Sequence, residues 1–444
     1  MRRLALCLAF SATPLVGLEG ESSTTPASPP PAVQPATPAG SASGPQELFR
    51  QALEKRKAGD LPGYLAGIDR VASLLPDPSN LYYRLAGAQA ITGHAETAIE
   101  IFRRMIEVGI YRDPRQDPDF AALVGKSRFT TDLERLERLK DPTAPGELAF
   151  SLDDSEFQPE GIAYDPATRA FFVSSVRLGK IVRRAADGKV SEFAHGGDDG
   201  PWSILGIAVD GERGLLWATS AALPNRVGLA KEKHGRSALF SFDLATGEPR
   251  RRFDAPEGEH GFNDLAIGPG GSVFVSDPSG HAVWVLAAGG TALAPLAPVG
   301  FLDSPNGLAL SADRRWLYVS DYGIGLVAFD LVSQQARFLQ PLPDLTTLGI
   351  DGLAWADGAL VAIVNGIQPH RILRLDLAPD GRSIAGWKLL ARNAAEWNEP
   401  TLGVVVGDLL YYVGNSQWGL FDENTGVFDR AHAAPPKIFR LAIR

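Results

Sequence analysis

Cysteine is almost missing from this sequence of 444 residues. The single cysteine, Cys7, lies close to the N-terminus, so the rest of the chain forms no disulfide and no cysteine-ligated metal site. The seven histidines are scattered without the spacing of metal ligands. The sequence also has no G-x-S-x-G, H-E-x-x-H or P-loop motif, and no G-x-G-x-x-G in a strand–helix setting. These absences exclude several common hydrolase and cofactor-binding classes.

Basic residues are outnumbered, and long apolar runs are scarce. Lys and Arg total 43 against 52 Asp and Glu, a net charge of −9, which argues against a nucleic-acid partner. The run Leu4–Phe10 follows Arg2 and Arg3, which is typical of a secretory signal peptide. We therefore predict a signal peptide over residues 1–18 and an exported protein, periplasmic or secreted, with no transmembrane segment in the mature chain.

Two segments of different character precede the main repeat. Residues 19–44 are rich in Pro, Ala, Ser and Thr, which predicts a disordered linker. Residues 45–141 have helical periodicity, and the pairs Gly59-Asp60 and Gly93-His94 are separated by a 34-residue offset that is typical of tetratricopeptide (TPR) repeats. This TPR-like helical domain is either a docking module for a protein or peptide partner, or a helical brace packed on the next domain.

The remainder, residues 147–444, repeats one pattern six times. In the copy Asp303–Leu331, alternating apolar residues predict two paired strands, and a third strand follows. Six such units, spaced about 50 residues apart, predict a mainly β fold, a six-bladed β-propeller. The last copy ends after its third strand, so residues 147–152 are predicted to supply the missing outer strand and close the ring.

The repeat predicts which polar residues share one face. Residues before the first strand and residues after the second strand of a blade lie at the same end of an antiparallel sheet. The positions before the first strand that carry oxygen-bearing side chains are Glu160, Asn263, Asn306 and Asp351. The positions after the second strand, expected in the loops around them, include Asp277, Asp321, Asn365 and Asn415.

Two carboxylates and two amide oxygens that converge on one axis are hard ligands. They suit a divalent metal ion, with Ca²⁺ favoured over Zn²⁺ or Mn²⁺. Four oxygens do not fill a Ca²⁺ shell of about six to eight ligands, which leaves room for water or substrate. The alternative is that Asn-Gly and Asp-Gly simply form turns.

The four motifs resemble those of the gluconolactonase/regucalcin (senescence marker protein) family, with paraoxonase-like lactonases as more distant relatives. They read PEGIAYD, FNDLAIGPGG, SPNGLALSADRRWLYVSD and IDGLAWADGAL, and the resemblance covers roughly residues 147–444. It implies a six-bladed propeller that binds a divalent metal through Glu160, Asn263, Asn306 and Asp351. Two positions differ from the family pattern: Gly261 stands where sugar-lactone members place an arginine, and Ile162 where they place a proline.

These features predict an exported, metal-dependent hydrolase of the lactonase type, acting on a small-molecule lactone or ester. The metal would polarise the carbonyl, and a base would activate water. Asp351 is the first candidate for that base, favoured by the resemblance, and His260 is the second, because imidazole titrates near neutral pH. The alternative hypothesis is a non-catalytic TPR/propeller interaction protein with a structural metal ion.

Overall fold

The computed structural model describes residues 44–197 and 199–444. The predicted signal peptide and the predicted linker up to residue 43 lie outside the described residues. In the part of the chain that is described, no helix is both long and apolar enough to cross a membrane.

Five α-helices come first in the chain. They are α1 (Pro45–Lys57), α2 (Leu61–Ala72), α3 (Tyr82–Ile91), α4 (Ala95–Glu107) and α5 (Ser127–Arg138). Helix α1 packs on α2, and α3 packs on α4. Gly59 and Gly93 end the first helix of each pair with positive φ angles of 80° and 89°, a conformation that glycine adopts without strain. The 34-residue offset therefore relates two helical hairpins, and their classification as TPR repeats stays a prediction.

Six four-stranded antiparallel sheets follow, each a blade of a propeller. This confirms the mainly β, six-bladed fold. The outer strand β1 (Glu147–Ser151) precedes blade 1. Blade 1 comprises β2 (Pro159–Asp165), β3 (Ala170–Ser175), β4 (Lys180–Arg184) and β5 (Val190–His195), and blade 2 comprises β6 (Ser203–Asp210), β7 (Leu215–Ala221), β8 (Ser237–Asp243) and β9 (Pro249–Asp254). Blade 3 comprises β10 (Leu265–Ile267), β11 (Val273–Asp277), β12 (Ala282–Leu286) and β13 (Leu293–Pro295).

Blades 4 to 6 continue this order, with an irregular insertion in the last blade. Blade 4 comprises β14 (Pro305–Leu310), β15 (Trp316–Asp321), β16 (Gly325–Asp330) and β17 (Gln335–Phe338), and blade 5 comprises β18 (Ile350–Ala356), β19 (Ala359–Val364), β20 (Arg371–Leu377) and β21 (Ile384–Arg392). Blade 6 comprises β22 (Gly403–Val406), β23 (Leu409–Val413) and β26 (Lys437–Ala442), together with β1. The insertion contains a small hairpin of β24 (Phe421–Asp422) and β25 (Val427–Phe428). Strand β1 pairs with β26, so the first strand of the propeller completes its last sheet and covers the edge of β26.

The helical segment packs against the propeller beside blade 5. Asp77, only 2% exposed, accepts hydrogen bonds from the Thr346 hydroxyl and the Thr347 amide, both at 2.9 Å. The Tyr111 amide donates to the carbonyl of Gln368 at 2.8 Å, and Ile367 packs into the helical core. This arrangement matches the interpretation of a helical brace, and binding of a partner there stays a prediction.

Candidate functional site

A β-bulge lies at the start of the first strand of four blades, the inner strand, which is nearest the propeller axis. In blade 4, Pro305 pairs with Asp321 and Leu308 with Val319, so two residues of the inner strand, Asn306 and Gly307, face a single residue of the second strand. The same irregularity occurs at Glu160, Leu205 and Asp351. A β-bulge redirects side chains away from the regular pleat, which explains how these positions point toward the central axis.

Buried hydroxyls support the bulges from the second strand. Ser174 accepts from the Gly161 amide at 2.8 Å, Thr219 donates to the Gly206 carbonyl at 3.2 Å, and Ser320 donates to the Gly307 carbonyl at 3.2 Å. Because a bulge leaves backbone groups without ladder partners, these hydroxyls supply the missing hydrogen bonds. The repeated Ser or Thr in the second strand is therefore a sequence signal for the bulge, and the residues at the inner positions alone do not reveal it.

In four blades, a glycine follows the inner position, which is the position that Glu160, Leu205, Asn306 and Asp351 occupy at the start of the first strand. Neighbouring blades approach each other so closely there that only glycine fits. A Cβ on Gly307 would lie 2.4 Å from the carbonyl oxygen of Asp351, and one on Gly161 would lie 2.3 Å from that of Leu205. The Asn-Gly sequence therefore does not mark a turn, as the alternative reading held. It marks a strand start where one blade touches the next.

In blade 3, Asp264 takes the place of this glycine. Its carboxylate accepts from the Leu265 amide at 2.8 Å and from the Leu308 amide of blade 4 at 3.0 Å. Burial raises the pKa of Asp264 to about 7, and the two amides oppose that rise. Asp264 thus connects two blades directly behind Asn263 and Asn306.

The inner positions surround one cavity of about 270 Å³. Glu160, Asn263, Asn306 and Asp351 all line it, and each is less than 10% exposed. The other two inner positions differ: Leu205 of blade 2 lines the cavity, whereas Thr401 of blade 6 is fully buried and donates to the Glu160 carbonyl at 3.1 Å. The remaining lining residues are Ala221, Leu223, Gly261, Pro278, Ser279, Tyr322, Asn365, Glu399 and Trp418.

Neutral donors hold the two predicted carboxylate ligands. The indole N–H of Trp418 donates to Oε2 of Glu160 at 2.8 Å. The amide of Asn365 donates to Oδ2 of Asp351 at 2.5 Å, and it also donates to the Pro400 carbonyl at 3.0 Å. The Tyr322 hydroxyl in turn donates to Oδ1 of Asn365. Each carboxylate is therefore oriented by a hydrogen bond from a neutral donor.

The two predicted amide ligands touch each other. Nδ2 of Asn263 donates to Oδ1 of Asn306, which places both amide groups at one point of the cavity wall. Rotation of an amide by 180° about its last torsion exchanges its oxygen and nitrogen. Both side chains can therefore present an oxygen to the same cation.

The chemistry of this donor set fits a hard divalent cation. The described residues that line the cavity supply oxygen atoms from carboxylate, amide and hydroxyl groups. In residues 44–197 and 199–444, the candidate site included, no three His, Cys, Asp or Glu side chains come together as metal ligands, so a metal here would depend on the two amides as well. The candidate site combines two carboxylates with two amides, an oxygen donor set that suits a Ca²⁺-type ion.

The carboxylates of Asp277 and Asp321 accept hydrogen bonds from backbone amides. Asp321, 0% exposed, accepts from the amides of Asp303, Ser304, Gly323 and Ile324 at 2.8–3.2 Å. Asp277 accepts from the amides of Gly261 and Gly280 and from the Trp284 indole. Neither residue lines the cavity, so they fix loops and do not form its rim; of the expected loop residues, Asn365 alone reaches it.

His260 does not line the cavity either. Its ring is 8% exposed, Nδ1 lies 2.5 Å from Oδ2 of Asp277, and the ring packs edge-on against Phe262 and Trp284. The hydrogen bond to Asp277 raises the pKa of His260, and burial partly opposes it. The structure therefore places the second candidate base in a buried pair behind the site, and Asp351 is the candidate that faces the cavity.

Four polar or aromatic lining residues were missed from the sequence. Glu399, Trp418 and Tyr322 are half-buried, and Ser279 is exposed. Trp418 lies in the irregular insertion of blade 6 and Glu399 in the loop before β22, so neither follows the repeat. Tyr322 is one residue after the repeated position Asp321, and Ser279 is two residues after the repeated position Asp277. A list of loop positions that extended two residues beyond the second strand would have included both.

Solved propeller structures resemble this chain. A PQQ-bound aldose sugar dehydrogenase from Streptomyces coelicolor is 17% identical with a TM-score of 0.47, covering 68% of this chain and 100% of that chain. A gluconolactonase from Xanthomonas campestris is 18% identical with a TM-score of 0.45, covering 68% and 96%. The calcium-binding protein regucalcin from Agrobacterium tumefaciens is 16% identical with a TM-score of 0.45, covering 67% and 95%.

No family model and no curated protein matches the sequence. Gluconolactonase and regucalcin propellers are among the solved structures that the chain resembles; the six sheets described above establish the fold itself.

Proposed function

We propose that the protein is a metal-dependent hydrolase that cleaves a lactone or another ester in the cavity at the propeller axis. One observation carries the proposal: Glu160, Asn263, Asn306 and Asp351, from four different blades, line the same cavity. These four residues would hold the ion, with Ca²⁺ as the first candidate and Mn²⁺ or Zn²⁺ as others. When bound, such an ion supplies Lewis acidity toward a carbonyl oxygen.

Asp351 is the general base in this proposal. The Asn365 amide fixes its carboxylate through Oδ2, and the Tyr322 hydroxyl fixes Asn365. Asp351 takes a proton from water as the water oxygen bonds to the carbonyl carbon, and the proton passes to the leaving oxygen when the ester C–O bond breaks. A positioned base of this kind contributes about 10²–10⁴-fold to the rate.

The orientation of the other side chains supports the same chemistry. Trp418 orients Glu160 by its indole N–H, a neutral donor that adds no charge to the site. Asn263 and Asn306 meet at one point, so their amides bind without added charge. The chain thus supplies two charged and two neutral oxygen ligands, which leaves coordination positions for water and substrate.

The test is turnover of a lactone and ester panel by the purified protein with Ca²⁺, Mn²⁺, Zn²⁺ or chelator. Asp351→Asn should reduce kcat/KM by at least about 10²-fold, whereas the matched control Asp357→Asn, an exposed residue of the same blade, should leave it unchanged. Turnover that ignores both the chelator and the Asp351 change would refute the mechanism. Absence of turnover together with a large chelator-induced fall in Tm would instead support the interaction protein with a structural ion.

Export belongs to the same proposal and rests on residues 1–18 alone. Fractionation of cells that express the full chain tests it. Accumulation of the uncleaved chain in the cytoplasm would contradict it.

A further inference from the structure

A second cavity, of about 230 Å³, lies at the seam between blade 1 and blade 6, where the propeller ring closes. Tyr164, Phe171 and Arg184 of blade 1 line it on one side, and Val406 and Tyr411 of blade 6 line it on the other. Tyr164 and Phe171 border the turn between β2 and β3, whereas the candidate functional site lies at the start of β2. This seam cavity is therefore at the opposite end of the blades and separate from that site.

The strand register explains why aromatic and cationic groups meet in the seam cavity. Tyr164 pairs with Phe171, and Phe171 pairs with Arg184. Directly paired residues of antiparallel strands project from the same face of a sheet, with Cβ atoms about 4.5–5.5 Å apart. Arg169 comes two residues before Phe171 and also lines the cavity. The Phe171 ring contacts those of Tyr164 and Tyr411, with centroid distances of 4.8 and 4.7 Å, so an aromatic floor runs across the two blades.

The two arginines of the seam cavity have no anionic partner in residues 44–197 and 199–444. Within these ranges neither Arg169 nor Arg184 forms an ion pair or a side-chain hydrogen bond, and the cavity lining contains no Asp or Glu. Arg184 lies over the ring of Phe150, 4.7 Å from its centroid, which occupies one face of the guanidinium and leaves the N–H groups at its edge available. By contrast, Arg440 of blade 6 donates to Glu147 at 2.9 Å. Two cations that share one cavity repel each other, and a bound anion would offset that repulsion.

The backbone at Arg169 favours glycine. Its φ angle is 56°, in the left-handed region that residues with a side chain adopt at a cost. The β6–β7 turn of blade 2 has the same length as the β2–β3 turn, and there Gly214 takes this position with a φ of 64°. Strained backbone conformations cluster at ligand-binding sites. The guanidinium of Arg169 therefore enters the cavity from a position where the turn itself does not need a side chain.

We propose that the seam cavity binds a small aromatic carboxylate. The carboxylate accepts hydrogen bonds from Arg169 and Arg184, and the ring lies on Phe171 and the two tyrosines. Guanidinium groups bind carboxylates through paired N–H donors, and aromatic rings prefer offset or edge-to-face contacts with such a floor. The volume is below the range of drug-sized pockets, roughly 300–1,000 Å³, so it suits one or two rings. This site is independent of the proposed hydrolase reaction.

The test is calorimetric titration of the full chain with benzoate and with 2-naphthoate, once with Ca²⁺ and once with chelator. We expect a Kd below about 1 mM for at least one of the two, weakening as salt is raised. Benzamide, the neutral isostere of benzoate, and inorganic phosphate, which has no ring, should each bind at least about tenfold more weakly. Absence of binding of both aryl carboxylates up to about 10 mM, or equal affinity for benzamide or phosphate, would overturn the inference.

Variants of the two arginines locate the binding. Arg169→Gly places the residue of the blade 2 turn at this position, so it should weaken binding of the aryl carboxylate at least about tenfold without lowering Tm. Arg184→Met keeps an unbranched side chain on Phe150 but removes the charge, and the same loss of affinity is expected. Arg382→Met is the matched control, because Arg382 lies over the ring of Trp316, 5.7 Å from its centroid, and outside the cavity. It should leave Kd unchanged.

The outcomes separate this site from the one at the propeller axis. Affinity that is lost in both arginine variants and is equal with Ca²⁺ and with chelator supports the seam cavity, whether or not any lactone or ester is hydrolysed. Affinity that disappears with chelator and persists in Arg169→Gly and Arg184→Met belongs to the axis and refutes the inference. Retained affinity in a folded Arg169→Gly variant likewise contradicts the role of the two arginines, since that change keeps the turn intact.

Discussion

Asn306 and Asp321 belong to the same blade, at the paired ends of β14 and β15, and both have polar side chains that are almost fully buried. Asn306 lines the cavity and meets the amide of Asn263. Asp321 binds four backbone amides of its own blade and does not reach the cavity. The difference teaches that a repeated oxygen-bearing position is a candidate ligand position only where backbone amides do not already bind its oxygens.

The largest expected effect is on stability, at Asp321. Asp321→Ala leaves four half-buried amides without their acceptor, and an unpaired donor costs about 1–3 kcal/mol when it is fully buried. Since the loops can relax toward water, we expect a loss of about 4 kcal/mol in the free energy of unfolding, measured by denaturant titration. Asn306→Ala, the matched control in the same blade, should cost about 1 kcal/mol without metal, because it removes one hydrogen bond to a backbone carbonyl, that of Ser304 at 3.3 Å, and leaves no backbone amide without its acceptor. Equal losses for the two variants would remove the distinction between the two sets of positions.

The second prediction extends the comparison to the helical segment. Asp77 accepts from Ser79 and, across the domain boundary, from Thr346 and Thr347. Asp77→Ala should therefore lower stability by about 3 kcal/mol and make residues 45–141 more sensitive to protease. Asp69→Ala, at an exposed position of α2, is the control and should change neither quantity. Unchanged protease sensitivity in Asp77→Ala would mean that this contact does not hold the helices on the propeller.

The repeat spacing was enough to predict the six blades, because strand periodicity and spacing recur in every copy. It also identified the inner positions, since Glu160, Asn263, Asn306 and Asp351 line one cavity. It placed Asp277 and Asp321 in the loops around the cavity but did not predict that their carboxylates bind backbone amides and do not reach it, because such partners are set by loop conformation. It also missed Glu399 and Trp418, which come from segments that do not repeat.

The third prediction concerns the hydrogen bonds behind the inner positions. Asn365 connects Asp351 to the Pro400 carbonyl of the next blade. Residues that orient metal ligands typically contribute 10–100-fold to metal affinity, so Asn365→Ala should weaken Ca²⁺ binding by about that factor in calorimetry. Asn424→Ala, at an exposed position of the β24–β25 hairpin, should leave the affinity unchanged. Asn365→Ala with the affinity of the unmodified chain would show that Asn365 does not orient a ligand.

The smallest expected effect is on the pH dependence of stability, and it tests whether His260 takes part in the reaction in the cavity. Asp277 raises the pKa of His260, so the protonated pair stabilises the folded chain. This stabilisation is fully present below the ordinary histidine pKa of about 6.5 and is lost as pH rises through the raised pKa. His260→Asn keeps a neutral N–H donor near Asp277 but cannot be protonated. The variant should therefore lose on the order of 1 kcal/mol at pH 6 and less at pH 9, while the pH dependence of kcat/KM stays that of the unmodified chain. A shifted activity profile would place His260 in the proton transfer and contradict the assignment of that role to Asp351.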